Sequence, residues 1–445
     1  MSTGLMIERR RGSQSLCDYS QHYDEFERRL SIVSSPKQTS QCRQQEIYLR
    51  KDSKDPVVAV IGVGYVGFQL VEAFSKHYPV IAFDASVGRV ATIQKQLKGI
   101  HSVTCTSDES TLSRATHFLL AVPTPLLPNR QIDTSCLQSA ISTIGTYARP
   151  GATVVIESSV SVGMTRALMA PLTVCRGFKA GMSPERVDPG RSDPPFENIP
   201  KIISGLDDIC PGSLESIHRL YSKVFKSLVS VSKPEVAEMT KLYENCQRMM
   251  AIAYTNEMAD ACVGHGIDPF EVSKAAGTKP FGYLPITPSL GVGGHCIPVN
   301  PYYLFSNNSF PLLEAATEKM RLRPSAVGDR IMKDILKQNP SHFLKRKARV
   351  LVVGVAFKPG QTLVTGSPAV ALMQHLLSHW KVYVAFADPL VQESALPFVP
   401  RFDERKEWSK SKLEWFDAII VAVRQPGINY ALLDNLDHVR VEIWN

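Results

Sequence analysis

One cysteine lies within Gly291-Val-Gly-Gly-His-Cys-Ile-Pro-Val-Asn-Pro-Tyr-Tyr-Leu304, behind three glycines and directly before an Ile-Pro step. Glycines such as Gly291 and Gly293 let a backbone come close to a ligand, because no Cβ holds it off. Cys296, presented from such a loop ahead of a helix, stands where partial positive charge favours thiolate. The chemistry this predicts is nucleophilic attack on a bound small molecule. A cysteine buried in a tight turn is the competing reading. His295 is a poor base for it, since neighbours in an extended loop point apart.

Far upstream, Val57-Val-Ala-Val-Ile-Gly-Val-Gly-Tyr-Val-Gly67 ends a β-branched run in Gly62, Gly64 and Gly67, and a helical pattern follows. A further strand, Val80-Ile-Ala-Phe-Asp84, puts a carboxylate 22 residues after Gly62. This is the dinucleotide fingerprint in its required setting: glycines for the turn, a helix N-terminus for the pyrophosphate, and Asp84 for a ribose 2′-hydroxyl. An acid there favours NAD over NADP. A third set is Glu238, Lys241, Asn245 and Arg248, spaced i, i+3, i+7, i+10 on one helix face. A solvated stripe is the ordinary reading of such spacing. A cation and an amide four residues apart also suit an oxyanion, which is what attack by Cys296 would create.

The elements that must carry these groups follow from patterning. From Val57 onward, strands and helices alternate in the rhythm of a doubly wound parallel sheet, with strands at 118–122 and 152–156 and a helix from about Thr134 to Ala148. Ser232-Lys-Pro-Glu235 reads as a capping box with Ser232 as N-cap, opening a helix that runs to about Val263. A second alternating unit begins at Arg349 and closes on a last strand over 416–423. The predicted fold is therefore α/β, with two Rossmann-like doubly wound sheets joined by a long central helix. Its parts are a disordered N-terminal extension (1–54, with Arg9-Arg10-Arg11 as a solvated cluster), an NAD-binding domain (55–231), a central helical domain that carries the cysteine loop (232–340) and a second, C-terminal α/β domain (341–445).

Bulk properties fit a soluble cytoplasmic enzyme. The 445 residues leave room for two or three domains. Nine cysteines without C-x-x-C spacing indicate neither a disulfide framework nor a metal site. No apolar run approaches a membrane span or a signal core. The net charge of +8 carries no long basic block of the kind that binds nucleic acid.

Taken in order, these motifs resemble the UDP-glucose/GDP-mannose dehydrogenase family from about Val57 to the C-terminus. Its other marks are Val122-Pro-Thr-Pro125, Glu157-Ser-Ser159 with Gly163, Ser183-Pro-Glu-Arg-Val-Asp-Pro-Gly190, Pro200-Lys-Ile-Ile203 and Thr278-Lys-Pro-Phe-Gly282. The forms of the third and last look more like the branch acting on UDP-N-acetylhexosamines than the UDP-glucose branch. The resemblance implies NAD as cofactor, a UDP-sugar as substrate and a homodimer formed through the central helix. It implies oxidation of a C6 alcohol to a carboxylate, with Cys296 as nucleophile through a thiohemiacetal and a thioester. Lys241 and Asn245 would hold the oxyanion, and Glu185 would contact the sugar or position water. Tyr65, Val66 and Arg89 would join the glycines and Asp84 around the cofactor, with Thr124 and Ser159 lining its nicotinamide side. Arg248, Phe281, Gly282 and the loop from Thr287 to Gly293 would bind the UDP-sugar, with Phe357 and Lys358 at its uracil and pyrophosphate end.

The chain departs from the family pattern at several points. Asn300 stands where the family has an acid, and an amide cannot take up a proton. Thr365 stands where the family places an arginine, Pro288-Ser-Leu-Gly291 replaces Pro-Gly-Pro-Gly, and the chain stops at Trp444-Asn445 without a short closing segment. The alternative these departures open is a catalytically impaired member that binds nucleotides or partners.

Overall fold

The β-branched runs become strands of parallel sheets. The computed structural model describes residues 55–188, 190–338 and 346–444. The expected extension over 1–54 and the boundary after 340 lie outside the described residues.

The first sheet is built from β1 (Val58–Ile61), α1 (Tyr65–Ser75), β2 (Val80–Phe83), α2 (Val87–Gln96), β3 (Val103–Thr106), β4 (His117–Leu120), α3 (Ser135–Tyr147), β5 (Thr153–Ile156), α4 (Met164–Arg176) and β6 (Lys179–Met182). Its strand order is β3-β2-β1-β4-β5-β6, every pair parallel. Strands β1, β2 and β5 are buried along their whole length, which is why they read as unbroken apolar runs. Chain direction across the sheet reverses between β1 and β4, so a ligand crevice opens at their carboxyl ends.

A short parallel pair, β7 (Lys201–Ile203) and β8 (Leu228–Ser230), flanks α5 (Ser213–Tyr221). The spine helix α6 (Pro234–Val263) then runs 30 residues, roughly 45 Å. After α7 (Pro269–Ala276) and the short α8 (Asn300–Phe305), α9 (Pro311–Gln338) packs alongside the spine. Lys319 meets Glu257 at 2.5 Å and Arg323 pairs with Asp260, so the distal acids of the spine serve this helix contact. The second sheet comprises β9 (Ala348–Val353), α10 (Pro368–His379), β10 (Val382–Ala387), β11 (Ala418–Val421) and β12 (Arg440–Ile443), in the all-parallel order β10-β9-β11-β12.

Both sheets use the same turn. The Gly62 N–H donates to Phe83 O at 2.9 Å while the Val63 N–H donates to Asp84 Oδ2 at 3.0 Å. In the second sheet, Gly354 donates to Ala387 O at 2.8 Å and Val355 to Asp388 Oδ2 at 2.8 Å. Gly354 has φ +72°, and a Cβ there would lie 1.8 Å from the Val423 carbonyl oxygen. Only glycine fits.

Three expectations need correction. Ser232 is not the N-cap: Lys233 is, without a side-chain bond, and the helix starts on Pro234. Proline at the first helical position has no N–H to cap, and Glu235 is turned to Arg166 at 2.6 Å instead of reaching back. The strand at Ala418–Val421 is shorter than expected and is not the last, since Arg440–Ile443 pairs beside it. The long helix α9 escaped the sequence reading because Pro324 interrupts its pattern. Among the described residues, no helix is long and apolar enough to cross a membrane.

Candidate active site

The glycine-rich turn is shaped to receive a dinucleotide. A Cβ on Gly67 would lie 2.0 Å from the Gly62 carbonyl oxygen, so α1 can approach β1 only through glycine. Space over Gly64 is open, at the N-terminus of an 11-residue helix whose first residues are Tyr65 and Val66. Asp84 caps the crevice. Its Oδ1 accepts from the Ser86 N–H at 2.9 Å and its Oδ2 from Val63, and the carboxylate keeps lone pairs for a diol. Arg89 Nε donates to the Val63 carbonyl at 2.7 Å and braces the loop from outside. These residues fit an adenosine ribose and pyrophosphate.

At the neighbouring edge, Thr124 Oγ1 donates to the Ser159 carbonyl at 2.9 Å. The Tyr303 hydroxyl donates to the Thr124 carbonyl and lies 2.9 Å from Thr124 Oγ1. Tyr303 stands on α8, just beyond Cys296, so this contact ties the cysteine loop to the dinucleotide sheet. Sequence reasoning missed it. Burial pushes the Tyr303 phenol up to about 12, so it is a donor there at all ordinary pH.

The spine supplies the next groups. Glu238, Lys241 and Asn245 are all buried, which overturns the solvated-stripe reading for them, whereas Arg248 is exposed. Glu238 caps α4: its carboxylate accepts from the Gly163 N–H at 2.6 Å and the Thr165 N–H at 2.8 Å. That bond fixes the spine's rotation against the first sheet. Three residues on, Lys241 faces the cysteine loop. Burial brings its ammonium down from the ordinary value, with the charges of Cys296 and Glu185 pulling the other way. One turn further, Asn245 Nδ2 donates to Oδ1 of Asn300, which is 2 % exposed.

Cys296 corrects an expectation. Burial pushes its thiol up, and Lys241 only partly offsets this. The helix that follows starts at Asn300 and has six residues, too far away and too short to impose a thiolate. Burial therefore works against charge on both members of the pair. His295 is exposed and turns its ring to Phe357, at 6.3 Å between centroids.

The cysteine loop is held from the second sheet. Gly294 N–H donates to the Gly366 carbonyl at 3.2 Å. A Cβ on Gly293 would lie 3.0 Å from Pro368 and 3.2 Å from Phe357, and one on Gly291 would lie 3.3 Å from Pro324 and Pro368. These two glycines sit in tight packing of protein on protein, and Phe357 lies under the loop. Lys358 reaches across to Asp188 at 2.9 Å. Phe281, Gly282 and Thr287 are exposed and stand outside this cluster, as does Thr365.

Glu185 completes the wall opposite. Its Oε1 accepts from the Arg186 and Val187 N–H groups at 2.6 and 2.7 Å. Arg186 binds Glu244 of the spine at 2.6 Å, which locks this turn to the helix. Among the described residues, no cluster of His, Cys, Asp or Glu could hold a metal ion. What converges is a thiol, an amine, two linked amides and a carboxylate beside a dinucleotide crevice.

Comparison with known proteins agrees with this geometry. Residues 57–225 match the NAD binding domain of the UDP-glucose/GDP-mannose dehydrogenase family, and residues 235–318 match its central domain. NAD is accordingly the cofactor of the first sheet. UDP-N-acetyl-D-glucosamine 6-dehydrogenase of Pseudomonas aeruginosa is 32 % identical over 76 % of this chain and 84 % of its own length. The Salmonella typhi enzyme of the same name is 31 % identical over 82 % and 89 %. The solved UDP-D-ManNAc dehydrogenase of Pyrococcus horikoshii superposes with a TM-score of 0.76 at 27 % identity, covering 87 % of this chain and 95 % of that one.

Proposed function

We propose that this chain, which belongs to the UDP-glucose/GDP-mannose dehydrogenase family, oxidises the C6 alcohol of a UDP-N-acetylhexosamine to a carboxylate through a covalent intermediate on Cys296. The observation that carries this reading is the pair of contacts that tie the Cys296 segment to the dinucleotide sheet, through Tyr303 and Thr124, and to the spine, through Asn300 and Asn245. The N-acetylhexosamine class is favoured by the names of the relatives most similar to it here.

Bound NAD would accept a hydride from C6 in each of two oxidations. Lys241, lowered toward its neutral form by burial, is suited to take the proton from the C6 hydroxyl and to face the oxygen as charge develops there. The aldehyde so formed has no hydride ready to leave. Addition of Cys296 Sγ to its carbon forms a C–S bond and a tetrahedral thiohemiacetal, which does. Once Lys241 has passed its first proton to water, transfer of the thiol proton to it would generate the thiolate at the moment of attack, so a standing thiolate is unnecessary. Asn245, steered by its bond to Asn300, would hold the oxygen or a water. Water then cleaves the thioester, giving a carboxylate and the free thiol. Asn300 cannot accept a proton in that step, which leaves Glu185 to do so.

The division of labour we propose follows the expected boundaries: cofactor at 55–231, chemistry at 232–340, sugar nucleotide at 341–445. A homodimer is proposed through the spine, whose outer face leaves Tyr243, Met250, Tyr254 and Met258 exposed at 68, 37, 64 and 47 %. Such a stripe marks a docking face, and a second copy would also cover the exposed region of Phe281 and Thr287. The impaired-member reading rests on Asn300, already committed to Asn245, and on Thr365. Purified protein with NAD and a panel of UDP-sugars decides between them. Two NADH per sugar and a carboxylated product are expected; binding without NADH would support the impaired member.

A further inference from the structure

Below Glu185 lies a buried ionic cluster that the reaction above does not use. Glu157, at the end of β5, is 0 % exposed, and Lys201, the first residue of β7, is 3 % exposed. Lys201 Nζ lies 2.5 Å from Glu157 Oε2 and donates to the carbonyls of Ser183 and Pro184 at 3.4 and 3.3 Å. The Tyr221 hydroxyl, from α5, donates to Glu157 Oε1. Burial opposes charge throughout, yet two carboxylates around one ammonium hold Lys201 above its ordinary value.

The upper member of the cluster is asymmetric. Glu185 Oε1 takes two backbone N–H groups, while Oε2 is buried and has no hydrogen-bond partner. Lys201 Nζ stands 3.6 Å from that Oε2. At this distance the cation lends its charge without taking a lone pair. A buried acceptor left open is costly, and native proteins rarely keep one without a use. Two N–H bonds on one oxygen fix the carboxylate plane, so the other lone pairs have one direction. Glu185 also bears electrostatically on both Cys296 and Lys241.

Resting on the function proposed above, we propose that Lys201, held by Glu157 and Tyr221, is a positioning residue that keeps the free Oε2 of Glu185 aimed at the water that releases the Cys296 thioester. In that step the water oxygen bonds to the thioester carbon and a water proton passes to Glu185 Oε2. The C–S bond then breaks with its electron pair on Sγ, and the proton returns to sulfur. Nothing is oxidised or reduced. Lys201 touches no reacting atom; it acts through Glu185.

Lys201→Met alone would strand the Glu157 carboxylate, so the test is the double variant Lys201→Met/Glu157→Gln, compared with Glu185→Gln and with all three together. By stopped flow, the double variant should keep the NADH burst of the wild type and slow the following steady rate about 10- to 100-fold. Added to Glu185→Gln it should change that rate less than twofold, because both act on one oxygen. Iodoacetamide labelling of Cys296 gives a readout independent of turnover. Both variants act on the one carboxylate that bears on Cys296, so the double variant and Glu185→Gln should each change the labelling rate, and together no more than either alone. A burst slowed in step with the steady rate, or effects that multiply in either assay, would overturn the proposal. If the wild type makes no NADH from any UDP-sugar, the function fails, and the labelling cycle alone decides the role of Lys201.

Discussion

Replacing Asn300 by Asp restores a proton acceptor beside the thioester, and the structure bounds its effect. Asn300 Oδ1 already accepts from Asn245 Nδ2, so an aspartate keeps that bond and exchanges only the amide NH2 for an oxygen. A positioned base contributes about 10²- to 10⁴-fold to a proton-transfer step. Against this, the site is 2 % exposed, and burying a carboxylate raises its proton affinity, so part of the population is protonated and idle. The lower end of the range, about 10²-fold on thioester release, is therefore the expected gain. Rapid mixing with NAD and the sugar nucleotide should show a wild-type burst of NADH followed by a slow phase, and Asn300→Asp should accelerate only the slow phase. A wild type with no burst, whose steady rate falls in Asn300→Asp, would refute the reasoning and show that Glu185 alone already makes release fast.

Further outcomes follow from the same contacts. Because burial pushes the Cys296 thiol up and Lys241 pulls it down, wild-type Cys296 should be alkylated at pH 8 more slowly than a free thiol, and Lys241→Met should slow it further, as read by peptide mass spectrometry over a pH series. Glu238→Ala removes a carboxylate from two helix N–H groups at a buried site and should cost about 3–5 kcal/mol in urea unfolding, while Glu238→Gln keeps one acceptor and should cost about 1–2 kcal/mol. Tyr254→Glu combined with Met258→Glu should convert a dimer to a monomer in sedimentation; a wild type already monomeric at tens of micromolar would count against the spine as interface.

What the sequence made legible was local. Gly62, Gly64, Gly67 and Asp84 announce themselves because the turn and the strand after it are contiguous, and their spacing is the geometry. The loop of Cys296 reads for the same reason, but its partial burial, which opposes the thiolate, does not. Lys241 and Asn245 were found by helical spacing, whereas the Asn245–Asn300 bond joins residues 55 apart. Glu157 and Lys201 are 44 apart and Tyr303 and Thr124 are 179 apart. Such pairs meet only after β5, β7 and α8 are placed, and no period in the chain foretells them. Gly291 and Gly293 were read as ligand contacts because a glycine records only that something comes close; here it is Pro324, Pro368 and Phe357.

The covalent step on Cys296 is tested most directly by quenching the enzyme with acid during turnover and mapping the peptide that spans Gly291–Leu304. The account predicts a sugar-nucleotide mass on Cys296 that appears with the burst, persists longer in the wild type than in Asn300→Asp, and is absent from Cys296→Ser, which should bind NAD and sugar nucleotide yet form no carboxylate. Full formation of two NADH and a carboxylate by Cys296→Ser, with no adduct in the wild type, would contradict it.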